Sequence, residues 1–343
     1  MASRAPIGVG IVGCGRFGTV LAELAPRAGL RVIAAYDRYR DPADLAARTG
    51  AFVSRSLAEL LSADGLTAVL VATSHDTHRC LTQAALKAGK HVFCEKPMAL
   101  DVADCLAMGV TATEAGRTLL VGHVQRLWGP VPQATALLAG GGLGEPVLAA
   151  VVRCQQLERR GWWASLAGSG GPIFSPGIHE VDLLNLWLGR PVSAEAAPAR
   201  AVQDQLDYPD SLVATIRYES GALASLVLSL SAASPIADGV HSIRVLCTGG
   251  ALHLDATGLP SLSWRAGIGQ HGQPDEGNTA ASDDGTAEAV IAELENFAAA
   301  IRGQAEPFVT PADATLAVAV CSAVNRSLAL GTRVDIDDVL AGR

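Results

Sequence analysis

Hydrophobic and polar positions over the first 122 residues alternate in blocks rather than residue by residue. Short apolar runs, Ile7–Val12, Arg31–Tyr36, Ala68–Ala72, His91–Cys94 and Leu119–Val121, are separated by stretches with helical spacing at Thr19–Ala28, Asp44–Thr49, Leu57–Ser62, His78–Gly89 and Asp101–Ala115. A strand that is apolar on both sides suits a parallel sheet covered on both faces. Strands alternating with helices make that sheet doubly wound. Asp101 is placed to cap its helix. A first α/β domain is therefore expected over residues 1–122.

The texture changes beyond that point. A glycine cluster at Ala139–Gly144 suits a turn between a helix and the strand Pro146–Cys154, and further strand-like runs follow at Leu212–Tyr218, Ala222–Leu230 and Ser242–Cys247. Residues 206–230 read as antiparallel strands joined at Glu219-Ser220-Gly221. A helix at Ile178–Trp187 interrupts the strands, and Asp275–Asp284 reads as a surface loop. Thr286–Arg302 and Ala312–Leu330 read as amphipathic helices, with a short last strand at Arg333–Ile336. The expectation is an α+β domain over residues 123–343, its terminal helices being candidates to pack back on the first domain. No internal repeat is apparent.

Composition narrows the function classes. Hydrophobic residues make up 49% of the 343 and charged residues 17%, which opposes disorder and leaves ample chain for about two domains. The net charge of -8 comes with no basic stripe, so a nucleic-acid binder is not expected. The apolar stretches break at Gly, Ser or charge short of the roughly 18 residues a bilayer span needs. The opening MASRAP leads straight into a strand pattern with no leader signature, which makes the cytoplasm the expected location. Seven scattered cysteines offer no zinc spacing, so no metal is expected. Only three lysines occur, Lys87, Lys90 and Lys96, the other basic residues being arginines. A lysine inside a motif therefore marks a position that needs an amine.

Gly13-Cys14-Gly15-Arg16-Phe17-Gly18 follows the first strand and opens the first helix. In that context Gly13 permits the turn, Gly15 admits a pyrophosphate and Gly18 lets helix and strand pack closely, with the phosphates at the helix N-terminus. Asp37, at the end of the second strand, is placed to hold a ribose 2′-hydroxyl and would repel a 2′-phosphate. NAD is thus favoured over NADP, although Arg38 and Arg40 could accept the extra phosphate. Thr73, Ser74 and His75, after the Ala68–Ala72 strand, fall where the crevice rule puts the nicotinamide ribose. His78, which starts the next helix, is a candidate either to contact the cofactor or to cap and pack there.

The run Ala72-Thr73-Ser74-His75-Asp76-Thr77-His78, followed by Ala88-Gly89-Lys90-His91-Val92-Phe93-Cys94-Glu95-Lys96-Pro97, closely resembles the glucose–fructose oxidoreductase / inositol dehydrogenase / MocA family. The resemblance extends through Val121-Gly122, Gln125-Arg126, Gly144-Glu145-Pro146-Val147 and Gly170-Gly171 to Gly177-Ile178-His179-Glu180-Val181-Asp182, and into the final helices. It implies a Rossmann domain followed by an α+β domain built on a large open, mainly antiparallel sheet. It also implies NAD(P)-linked oxidation of a sugar or polyol hydroxyl, and a homodimer or homotetramer. Glu95, Lys96 and Pro97 would lie at the nicotinamide, Lys96 matching the family's active-site lysine and His179 its acid/base histidine. Asp182 matches a carboxylate that contacts substrate hydroxyls. Many members carry Asp four residues before the histidine, where this chain has Ser175.

Oxidising a secondary alcohol requires a proton acceptor as hydride leaves the carbon, and an imidazole suits that task. His179 is the expected base, with Lys96 polarising the oxygen and Asp182 binding a neighbouring group; Lys96 is the alternative proton carrier. His123, Arg126 and Trp163 are further candidates at the substrate, Arg126 either for a phosphate or for an interdomain ion pair. Trp162 and Trp163 suit either a sugar face or core packing. Two other functions stay open: an NAD-recycling reaction through a transient keto sugar, and a dinucleotide-binding regulator without turnover.

Overall fold

The computed structural model describes residues 5–157, 160–199, 202–231, 239–257, 259–267, 276–280 and 285–343. The chain divides into two compact units. The first comprises residues 1–99, 103–124 and 287–315, and the second residues 100–102, 125–286 and 316–343.

The first unit carries six strands: β1 (Ile7–Val12), β2 (Leu30–Tyr36), β3 (Phe52–Val53), β4 (Ala68–Val71), β5 (His91–Glu95) and β6 (Leu119–Gly122). All pair in parallel, in the order β3-β2-β1-β4-β5-β6. The apolar runs are buried as their composition requires: β1, β4 and β6 have no exposed residue. Val9, Ile11, Leu70, Phe93 and Leu120 pack with Leu21 of the first helix and with Val290, Leu294 and Phe297 of Thr286–Ile301. The order reverses between β1 and β4, so the crevice for a ligand opens at their carboxyl ends.

Among the described residues the second unit is built on nine strands: β7 (Pro146–Cys154), β8 (Pro191–Pro198), β9 (Ser211–Tyr218), β10 (Leu223–Ser229), β11 (Val240–Cys247), β12 (Gly250–Asp255), β13 (Ser261–Ala266), β14 (Glu276–Ala280) and β15 (Val334–Asp335). Their order is β14-β13-β12-β11-β7-β10-β9-β8-β15. Every pairing is antiparallel except β7 with β10. Strict alternation puts Leu212, Ala214, Ile216 and Tyr218 of β9 on the buried face. The helix Ile178–Leu188 packs against β7.

The α/β Rossmann domain and the large, mainly antiparallel sheet are both present as expected. The expected loop Asp275–Asp284 is corrected: residues 276–280 form β14, paired to β13, while 275 and 281–284 lie outside the described residues, as do the first four of MASRAP. Glycine and polar residues pass in an edge strand because only one neighbour constrains them. Pro311–Leu330 is, among the described residues, the one helix long and apolar enough by length and composition to cross a bilayer; more than half of that stretch is buried within the protein.

Candidate functional site: a dinucleotide cradle and a histidine-bearing helix

At the end of β1 each glycine of the motif has a separate task. Gly13 has φ of 97°, and a Cβ on it would lie 2.3 Å from the Ala72 carbonyl oxygen. A Cβ on Gly18 would lie 1.8 Å from the Gly13 oxygen. A Cβ on Gly15 would meet nothing within 4 Å, so its backbone faces open space at the start of the helix Arg16–Leu24. No side chain caps that helix, which leaves its first N–H groups to an anion. This cradle fits a pyrophosphate.

Asp37 follows β2 directly. One carboxylate oxygen accepts the Cys14 N–H at 2.7 Å, and the other accepts those of Tyr39 and Arg40 at 2.8 and 2.9 Å. Three backbone donors hold the carboxylate against the glycine loop. Arg38 stacks over the ring of Tyr39, 5.6 Å from its centroid.

After β4, Thr73 and Thr77 join through their hydroxyls at 2.7 Å, and the Thr77 hydroxyl also contacts the Ser74 carbonyl. His75 is buried. His78 is wholly buried: Nδ1 lies 2.7 Å from the Pro97 carbonyl and Nε2 lies 3.2 Å from that of Thr73. Burial holds its pKa below the usual value against the pull of those two carbonyls. A neutral imidazole has one N–H, and the shorter contact assigns it to Nδ1. Through these two contacts His78 pins the segment after Lys96 to the end of β4.

Glu95 closes β5, with Oε2 accepting the Lys96 backbone N–H at 3.2 Å, and Lys96–Pro97 is cis. Two other polar residues of the motif build the fold. Lys90 Nζ donates to the Leu66 carbonyl at 2.9 Å, and His91 Nδ1 accepts the Thr118 N–H at 3.0 Å. His123, one residue past β6, is fully buried.

In the second unit His179 sits in the first turn of Ile178–Leu188, after the cis peptide Ser175–Pro176. Ser175 is nearly buried, its N–H on the Gly171 carbonyl at 3.0 Å. Asp182 does not present a free carboxylate. Both of its oxygens accept from Arg126, Nε and Nη2 each at 2.7 Å, and the carboxylate side chain is 2% exposed. Arg126 and Asp182, both expected near the substrate, thus form a buried bidentate pair within the second unit. A charge-assisted fork of this kind satisfies both groups at once.

Glu180 anchors the same helix from its other side. Its Oε1 accepts Arg153 Nη1 at 2.6 Å, His241 Nε2 at 3.0 Å and Gln125 Nε2 at 3.2 Å. Burial alone would raise the Glu180 pKa, but the Arg153 charge, then the His241 hydrogen bond, hold it well below the carboxylate range. The Trp128 ring stacks on His241 with centroids 6.2 Å apart. Trp162 and Trp163 stack on each other at 3.8 Å, and the Trp163 carbonyl accepts the Tyr208 hydroxyl at 2.7 Å. Among the described residues no cluster of metal-binding side chains occurs, and none of the seven cysteines is in a disulfide.

The oxidoreductase family with an NAD-binding Rossmann fold, Gfo/Idh/MocA, matches residues 7–123, and the C-terminal domain of the same family matches residues 131–253. The chain belongs to the Gfo/Idh/MocA family.

Two curated relatives and one solved structure mark its neighbourhood. The 2,7-anhydro-N-acetylneuraminate hydratase of Escherichia coli (strain K12) is 31% identical over 233 residues, 64% of this chain and 61% of that protein. The 1,5-anhydro-D-fructose reductase of Ensifer adhaerens is 33% identical over 173 residues, 49% of this chain and 52% of that protein. The matches therefore span between half and two thirds of these relatives' lengths. The structure of levoglucosan dehydrogenase with NADH and L-sorbose superposes with a TM-score of 0.87 at 18% identity, over 97% of this chain and 99% of that one. At that identity it shows the fold alone.

Within a Gfo/Idh/MocA chain, the residues that sequence reading left without a role are Gln125, Arg153, Glu180, His241 and Glu293. Arg153 had a signal, a lone charge directly after the apolar run Leu148–Val152. Glu293 had one as well, an acid within the apolar stripe of Val290, Leu294 and Phe297. His241 gave none.

Proposed function

We propose that this protein is an NAD-linked dehydrogenase or reductase that moves a hydride between the nicotinamide and a secondary hydroxyl or keto carbon of a sugar, inositol or aminocyclitol. What supports the reading is the combination, in one unit, of the open Gly15 cradle, the braced Asp37 carboxylate and the Glu95-Lys96-Pro97 segment held by His78. When bound, the cofactor supplies the hydride acceptor. Asp37 takes the ribose diol and disfavours a 2′-phosphate. The substrate oxygen gives its proton to His179 in oxidation and regains it in reduction, while Lys96 carries positive charge toward the oxygen as negative charge develops there. Arg126 and Asp182 neutralise each other and hold the His179 helix. The stacked Trp162 and Trp163 offer a flat apolar surface for the C–H face of a ring.

A second reading is favoured by the hydratase among the relatives. A hydratase has no net redox change, so a related reaction that takes up and returns the hydride within one turnover leaves no reduced cofactor. The two differ in a single assay. Parent protein and Lys96→Ala are incubated with NAD and a panel of inositols, aldoses, anhydrosugars and aminocyclitols, following both NADH and substrate. Stoichiometric NADH, lost in the variant, is the expected result. Substrate consumption without NADH supports the recycling reaction, and neither change for any compound defeats both.

We further place the protein in the cytoplasm as a homodimer or homotetramer. Seven cysteines outside disulfides suit a reducing compartment. Half-exposed Val147, Leu148, Val213 and Leu246 on the nine-stranded sheet suit a covered face.

A further inference from the structure

Two segments of the first unit leave neighbouring strands side by side. Thr73 follows β4 and Lys96 follows β5, and the ladder between these strands ends at the pair Val71 and Cys94. Beyond that pair the spacing of the two segments has to come from other contacts. The β4 side is well held. The Ala72 N–H donates to the Val12 carbonyl at 2.8 Å, which ties this end to the strand that carries the glycine loop. The N–H and the hydroxyl of Thr77 contact the Ser74 carbonyl at 3.0 and 2.7 Å, and the Thr77 hydroxyl meets that of Thr73 at 2.7 Å. His78 comes next, as the first residue of the helix His78–Lys87, and is rooted on this side.

The acids on the β5 side do not supply the missing tie. Glu95 is 7% exposed; its Oε2 accepts the N–H of Lys96, its own neighbour, and its Oε1 has no hydrogen-bond partner. Glu293, whose carboxyl feels the charge of Glu95, is fully buried and has none on either oxygen. Burial pushes both above the usual carboxyl range. Neither carboxyl joins the Lys96 turn to β4.

The His78 ring does. It is wholly buried, with Nδ1 2.7 Å from the Pro97 carbonyl, a contact that bridges 19 positions of sequence. Burial keeps the imidazole neutral, so it has one N–H to give, and the shorter contact takes it. The ring is wedged on its other side: Nε2 lies 3.2 Å from the Thr73 carbonyl, and the His75 ring lies 5.8 Å away, tilted by 58°. Strand order then says which half of the cofactor passes this place. With the pyrophosphate at the glycine loop after β1 and a ribose at Asp37 after β2, the other half runs toward β4 and β5.

We propose that His78 is a positioning residue for the nicotinamide half of the cofactor: its Nδ1–H on the Pro97 carbonyl holds the Glu95-Lys96-Pro97 turn at the spacing from Thr73 that this half requires. It acts through the turn rather than by touching the cofactor. The inference rests on the binding of NAD and not on turnover. A turn without this bond has to be ordered when the nicotinamide arrives, and affinity falls by the fraction of molecules in which the turn is already in place. The adenosine and the pyrophosphate are held at Asp37 and the glycine loop and carry no such cost.

Two ligands separate positioning from folding: NADH, followed by nicotinamide fluorescence, and ADP-ribose, which lacks the nicotinamide, followed by calorimetry. An asparagine amide puts its N–H near the place of Nδ1, and a glutamine amide puts it near that of Nε2. His78→Gln should bind NADH about tenfold more weakly, the worth of about one buried hydrogen bond, and ADP-ribose as the parent does. His78→Asn should bind both ligands like the parent. His78→Leu should behave as the glutamine variant; if leucine prevents folding, the two amide variants decide. Parallel loss of NADH and ADP-ribose in His78→Gln would show a structural role alone and overturn the proposal. So would equal NADH affinity in His78→Gln and the parent, or an asparagine variant as weak as the glutamine one. Failure of every polyol to yield NADH would defeat the dehydrogenase reading alone, because both affinities are read without turnover.

Discussion

At the scale of single residues, Gly15 and Gly18 separate folding from binding. A Cβ on Gly18 has no room, 1.8 Å from the Gly13 carbonyl, whereas one on Gly15 meets nothing within 4 Å. Gly18→Ala is accordingly expected to lose a large part of the protein's stability. Gly15→Ala should melt within a few degrees of the parent and bind NADH about tenfold or more weakly, as seen by nicotinamide fluorescence titration. A Gly15→Ala protein with unchanged NADH affinity would remove the pyrophosphate from this cradle. These glycines were legible in the sequence because their spacing follows directly from backbone geometry. Lys90 was legible as an amine by its scarcity, and its contact with the Leu66 carbonyl is a structural use of that amine. The pairing of Arg126 with Asp182 was not legible. The two are 56 positions apart, and sequence offers no register between them.

At the scale of elements, the helix Ile178–Leu188 depends on buried ion pairs on two sides. Asp182→Asn leaves the Arg126 guanidinium with an uncharged partner, and Glu180→Gln does the same to Arg153. Removing one partner of a buried pair costs about 3–5 kcal/mol, so each variant should unfold at markedly lower denaturant. Arg126→Met with Asp182→Leu should recover much of that loss, because apolar replacement of both partners is far less costly than orphaning one. Denaturant titration of the parent, the two single variants and the double variant measures this; equal stability of Asp182→Asn and the parent would contradict it. Most elements were readable from period and punctuation alone. The order of the nine-stranded sheet was not, since β7 pairs with β10 and β11 while three α-helices separate it from β8 in sequence. The edge strand β14 escaped because its composition is that of a loop.

At the scale of the whole molecule, the buried acids give stability a pH dependence of definite sign. Glu95 is pushed from 4.5 up to about 8 in the folded protein. Below pH 4.5 it binds its proton in both states and costs nothing. As pH rises toward 8 only the unfolded chain releases the proton, so stability falls, and above the folded pKa the loss stops growing. Each pH unit is worth about 1.4 kcal/mol per group. Glu95→Gln and Glu293→Leu should therefore melt higher than the parent at pH 8 and close to it at pH 5. Calorimetric scans at the two values test this, and a parent that is the more stable at pH 8 would show that the acids are charged and paired.

Hydride transfer itself is the claim on which the rest depends, and deuterium follows it directly. The protein is mixed with NAD and a polyol deuterated at the carbon bearing the reacting hydroxyl, and the reaction is quenched within one turnover. Deuterium on the nicotinamide ring of the reduced cofactor, with a primary isotope effect on its formation, is the predicted result. A substrate that reacts while all its deuterium stays off the nicotinamide would contradict the account.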